Sequence, residues 1–180
     1  MITQLSDRLY TWAKGWRVLA SLAAFMTLIL MPPLADPDLL SQSLDGMVFY
    51  TPERAFSAIA SYGEAGRTQM MWVHLADFLL ILVYTSMFCL SISWLLQRGF
   101  EPAHKMRRLN VLPIIGGLFD GLENLCVMAL ILAYPARPVA LAWLSTVFTT
   151  SKYSSIVLIL LPLLIGLVKA GVNGFKVQRG

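Results

Sequence analysis

Charge is scarce in this chain. Only 13% of its 180 residues are Asp, Glu, Lys or Arg, where a soluble domain carries about 25%. Hydrophobic residues make up 57%, and the mean hydropathy is +0.68. The deficit comes with long apolar runs, the pattern of a polytopic membrane protein. Cysteine is nearly absent too. Cys89 and Cys126 sit in different apolar runs, near ends that antiparallel helices place on opposite sides of a bilayer. A disulfide needs Cα atoms within ~7 Å, so two free thiols are expected. There is no Cys-x-x-Cys or Cys/His metal spacing, no phosphate loop, no dinucleotide fingerprint, no His-Glu-x-x-His and no Asn-x-Ser/Thr. Neither a metal nor a cofactor is expected. The formal net charge of +4 does not indicate a nucleic-acid partner, because the basic residues flank the apolar runs instead of clustering on a soluble face.

Four apolar runs remain: 18–34, 72–96, 109–133 and 140–168, with Pro162 a potential kink in the last. A spanning helix needs ~17–25 residues, so the sequence predicts an all-α integral membrane four-helix bundle in one domain, 1–180. The first run resembles a signal peptide in length. Its 17-residue head, and the lack of a small residue at the −3 position of Pro33-Leu34-Ala35, predict a retained helix. Ten of the 14 basic residues fall on one side: Arg8, Lys14 and Arg17; Arg98, Lys105, Arg107 and Arg108; Lys169, Lys176 and Arg179. Only Arg54, Arg67 and Arg137 fall on the other. Both termini are therefore expected in the cytoplasm, in a bacterial inner membrane. Trp12, Trp16 and Trp94 would mark the inner interface, and Trp72, Tyr134 and Trp143 the outer one.

The connection 35–71 is the sizeable piece outside the runs and is net acidic. Within it Thr51-Pro52-Glu53 reads as a helix start, with a hydroxyl cap, proline at the first helical position and an acid in the first turn. Phe56, Ile59 and Ala60 recur at helical spacing, and the helix is expected to stop near Gly63 or Gly66. This short exoplasmic helix reads either as a lid over the bundle or as an ordinary loop helix.

Three charges lie where lipid is expected: Asp120 and Glu123 in the third run and Lys152 in the fourth. Each costs at least ~2.5–3.5 kcal/mol at bilayer depth, so they are functional-site candidates. At ~100° per residue, Asp120, Glu123, Asn124, Gly116 and Gly117 share one face of the third helix. Ile115, Leu118, Leu122, Leu125 and Ala129 share the opposite, lipid-directed face. Gly117 and Gly121 form a G-x-x-x-G pair suited to close packing. Asp120 lies 11 residues past Leu109 and Lys152 lies 12 past Ala140, which puts both near the midplane. The short connection 134–139 makes the last two helices antiparallel neighbours. The firmest expectation is an ion pair from Lys152 to Glu123 or Asp120.

One lysine leaves a carboxyl to spare. On the second helix His74, Asp77, Tyr84 and Ser91 share a face, with Arg67 placed to pair with Asp77. Ser145, Thr149 and Ser155 share the Lys152 face. Asn124 is expected to bridge helices. His74 and Asp77 at i, i+3 offer a metal pair, for which an interfacial hydrogen bond is the plainer alternative.

Tyr62-Gly63-Glu64-x-Gly66-Arg67, Asp77, Asp120-x-x-Glu123-Asn124 and Tyr134-Pro135 resemble small bacterial four-helix membrane proteins, a likeness that carries no activity with it. The layout also resembles the emopamil-binding/sigma-2 receptor family, with its four helices, helical first connection and intramembrane acids that face a cationic ligand. Lys152 is a built-in cation where that family keeps an acid open, so no catalytic residue is carried over. Three functions are compatible with the sequence. The first is a pocket for a lipid or small amphiphile with proton-transfer chemistry at Asp120, Glu123, Asn124, Lys152, Asp77, His74, Tyr84 and Arg67. The second is a non-catalytic assembly or chaperone subunit with the charges as glue. The third is a proton-coupled transporter, for which four helices would require a homo-oligomer and for which no inverted repeat is visible.

Overall fold

The computed structural model describes residues 2–177; Arg179 and the Lys176 side chain, both counted above in the basic tail, lie outside what is described. Among the described residues the regular structure is all helical, with no strand. The helices are α1 (Ile2–Trp12), α2 (Gly15–Ile29), α3 (Pro37–Ser41), α4 (Pro52–Ser61), α5 (Gly63–Gly99), α6 (Leu112–Ala133) and α7 (Val139–Val177), with 3-10 turns at Leu44–Gly46 and Lys105–Val111. Three of these are long and apolar enough to cross a membrane: α5, α6 together with the turn before it, and α7. The first apolar helix is shorter than the predicted run. α2 spans 15 residues and ends at Ile29, ahead of Pro32-Pro33. α7 runs on through Pro162, which sits inside it.

The chain divides into two compact units, and each holds a stretch of α5, α6 and α7. One comprises 30–81 and 117–153. Its core joins the 35–71 connection to the long helices: Leu44, Tyr50, Ala55, Ile59, Tyr62 and Met70 are buried with Val127, Leu130, Ile131 and Ala142. The connection is built from capped short elements. Asp36 Oδ1 accepts from the Asp38 N–H at 2.9 Å, with Pro37 at the first position of α3. Thr51 caps α4 as expected, and Pro52 opens it. Burial pushes the Tyr62 phenol up to about 12 at the end of α4. Gly63, at φ +65°, makes the turn into α5 that the sequence located there. Gly66 is not a stop; it lies inside α5.

The other unit comprises 2–29, 82–116 and 154–177. Its apolar centre is Ile92, Leu96 and Ile159. The tight approach is at Gly116, where an added Cβ would stand 3.1 Å from Ile159 Cδ1, and not at Gly121 of the predicted G-x-x-x-G pair, which lies in the first unit at an ordinary 3.5 Å from Phe78. Asn110 is fully buried. It accepts from Ser6 Oγ at 2.7 Å and donates to Ser6 O at 3.1 Å and Ser93 Oγ at 3.0 Å, which ties α1 to the second 3-10 turn and α5. Ile115, Leu118, Leu122 and Leu125 are exposed, the apolar face predicted for α6. Cys89 and Cys126 are buried free thiols.

Candidate functional site

The buried charges meet within the unit formed by 30–81 and 117–153. Lys152 Nζ lies 2.6 Å from Glu123 Oε2 and 3.2 Å from Asp120 Oδ1. Both expected pairings are therefore present. A third carboxylate, which the sequence did not single out, completes the set: Asp45, from the turn at Leu44–Gly46, accepts directly from the same ammonium. Three carboxylates thus surround one ammonium, with Asp45 as its hydrogen-bond acceptor and Asp120 and Glu123 at ion-pair distance. Glu123 and Lys152 side chains are 1% and 8% exposed, Asp120 is 11% and Asp45 is 45% exposed, so the cluster is closed on the helix side and opens through Asp45. The three acids each offer an oxygen within 4.8 Å of the others, a spacing that suits a cation, and the lysine ammonium is the cation they hold.

Asp45 is held there by a ladder of hydroxyls on one face of α7. Tyr153 donates to Asp45 O at 2.9 Å, Thr150 to Val48 O at 3.1 Å and Thr146 to Tyr50 O at 2.8 Å. These donors stand about one turn apart and point the same way, because residues at i, i+4 and i+7 share a helix face. The segment 45–50 is thereby laid along α7, with the carbonyls of Asp45, Val48 and Tyr50 satisfied. Tyr50 ends the ladder inside the protein, 2% exposed. Its Oη lies 2.7 Å from Ser145 Oγ and 3.3 Å from Thr149 Oγ1, and Thr149 in turn donates to Glu123 Oε1 at 2.8 Å. Burial pushes the Tyr50 phenol up, against the pull of the Ser145 and Thr149 hydroxyls, so it stays neutral. A hydroxyl chain therefore runs from the 45–50 segment to the buried Glu123 carboxyl.

A second chain lies beside the first. Asn124 donates from Nδ2 to Asp77 Oδ2 at 2.6 Å, and its Oδ1 stands 2.8 Å from His74 Nδ1. A carboxylate only accepts, so the amide nitrogen must face Asp77 and the amide oxygen must face the ring. His74 then carries its proton on Nδ1. Its Nε2 is buried and has no hydrogen-bond partner among the described residues. Asn124 is thus the bridge between helices that its position promised.

Two predicted partners differ. Arg67 does not pair with Asp77: its guanidinium lies over the Tyr134 ring, 4.1 Å from the centroid, and Asp77 is taken by Asn124. Tyr84 belongs to the other unit, where its ring stands edge-on to Phe88 at 6.4 Å. Ser155 is buried and belongs to that unit as well. Asp45 and Tyr50 escaped the sequence reading because they sit in a connection with no helical periodicity. The one local signal was Ser43-Leu44-Asp45, a capped turn in which Ser43 Oγ accepts from the Asp45 N–H at 3.3 Å and Leu44 is fully buried.

Fold and site define an all-helical protein with three helices able to span a membrane and a buried acid/lysine cluster. No protein-family model, no curated protein and no solved structure matches this chain.

Proposed function

We propose that the Lys152 cluster receives the polar end of a lipid or small amphiphile and exchanges a proton with it. The supporting observation is the count of charges: Asp45, Asp120 and Glu123 face a single ammonium. A structural ion pair needs one acid, and surplus buried carboxyls add desolvation cost without a compensating partner. Asp45 is the exposed member and comes from a connecting segment, so it is the group a ligand headgroup would replace on Lys152. Glu123, reached by the Tyr50–Thr149 hydroxyls, would then give or take the proton. Asp77 and Asn124 hold His74 with a bare Nε2, a second proton acceptor in the same unit.

In this reading the chain crosses the membrane four times with both termini in the cytoplasm of a bacterium. α2, at ~1.5 Å per residue, covers ~22 Å, and exposed Leu19, Leu22, Met26, Ile29, Leu30 and Met31 continue its apolar surface. The assembly-subunit alternative draws on the closure of the site, since three carboxylates already surround Lys152. Lipid and metabolite mass spectrometry on detergent-purified protein separates the two. A bound amphiphile present in wild type and lost in Glu123→Gln supports the proposal. No co-purifying ligand, together with full function in the combined Lys152→Met, Glu123→Leu, Asp120→Leu variant, supports glue.

A further inference from the structure

A second site stands in the other unit, far along the sequence from the lysine cluster. Between α1 and the 3-10 turn Lys105–Val111 is a cavity of about 290 Å³, lined by Ser6, Asp7, Tyr10, His104, Arg107 and Arg108 among others. Its walls are rich in donors. The Arg107 guanidinium lies over the Tyr10 ring, 4.0 Å from the centroid, and the Tyr10 hydroxyl donates to the Arg107 backbone carbonyl at 2.6 Å, so one tyrosine contacts both the backbone and the side chain of Arg107. Arg107 Nε is buried with no hydrogen-bond partner among the described residues. His104 accepts the Met106 N–H on Nδ1 at 3.2 Å, which leaves Nε2 as the ring's donor. Phe100 stacks on that ring at 4.5 Å. Two guanidiniums face one carboxylate, that of Asp7, and the balance calls for an anion.

The position of α1 says which anion. Ile2, Leu5 and Trp12 are exposed at 64%, 41% and 65%, and with Leu9 they fall within about 80° of the helix circumference. Ser6 and Tyr10 look toward the cavity from the neighbouring arc. A short helix with an exposed apolar stripe beside a polar face lies in the plane of a membrane interface. Trp12 and Trp16, each within 5.4 Å of Arg17, extend the same belt. The cavity is thereby set at the level of lipid headgroups.

We propose that this cavity binds the phosphate of an anionic phospholipid headgroup, with Arg107 as the bidentate donor, Arg108 as the second charge and His104 Nε2–H as a neutral donor. The test is native mass spectrometry of the whole protein, exchanged into detergent containing equal phosphatidylglycerol and phosphatidylcholine. Wild type should hold phosphatidylglycerol at least several-fold in excess. Arg108→Gln should lose most of that preference, while Arg137→Gln, an exposed residue of the other unit, should keep it. Arg107→Lys, which keeps the charge and removes the fork, serves as a second variant and should lower retention part of the way. Circular dichroism confirms that each variant is folded. Equal retention of the two lipids by wild type, or undiminished preference in both cavity variants, overturns the proposal. Displacement of the adduct by equimolar inorganic phosphate overturns the lipid assignment in favour of a free-anion site.

Discussion

Lys152 is one ammonium among three carboxylates. Removing one side of a buried charge cluster leaves the other uncompensated, at about 3–5 kcal/mol. Lys152→Met should lower stability by that order, read as a drop in thermal midpoint in detergent; replacing Asp120 and Glu123 by leucine in the same chain should restore much of it. The His74 tautomer is open to a direct check. Nitrogen-15 NMR of histidine-labelled protein should show the proton on Nδ1 of His74, and Asn124→Leu should abolish that preference; the other histidine, His104, is assigned by its own substitution. Tyr62 carries the pH prediction. Its phenol is raised from 10.0 to about 12, so its contribution is complete below pH 10 and is lost as pH climbs toward 12, where the unfolded chain has already given up the proton. Ultraviolet titration should show one tyrosine ionising near pH 12 and missing in Tyr62→Phe. At this scale Asp120, Glu123 and Lys152 were legible because a charge in an apolar run announces itself, and Asn124 because it shares the Asp120 face of the helix. Asp45 was not, because an acid in an acidic connection is ordinary until tertiary contacts place it.

The elements show where local signals suffice. Thr51-Pro52-Glu53 starts α4 as its chemistry dictates: Glu53 is held below the usual carboxylate range by a helix-start backbone N–H and by Thr51. The stop at Gly63 was legible because a left-handed φ favours glycine. Gly63→Ala should cost about 1–2 kcal/mol from that strain alone, measured by denaturation. α3 was missed although Asp36-Pro37 carries the same signature, since five residues are too few for periodicity to show. The segment 45–50 has no repeating pattern at all, and its conformation is imposed by the hydroxyls of α7. Replacing Thr146 and Thr150 by valine removes two of those donors, at about 0.5–1.5 kcal/mol each. Amide exchange across 45–50 should rise well before that of α6 if the ladder is what holds the segment down.

For the whole molecule, apolar run length was the most dependable guide. It located α5, α6 and α7, while the prolines after α2 left the first helix shorter than its run. The basic residues at 8–17 and 98–108 predict that a cysteine introduced at Gln97 or Lys105 is labelled from the side opposite one introduced at Arg137; labelling from a common side would refute the four-crossing arrangement. A further consequence follows from the partners of Lys152. Asp45 precedes the lysine by 107 residues, and Asp120 and Glu123 also come before it. Synthesis runs from the N-terminus, so all three acceptors have been made when the last helix arrives. The lysine is the closing piece of the assembly, and a chain cut short before α7 would leave its acids without a counterion.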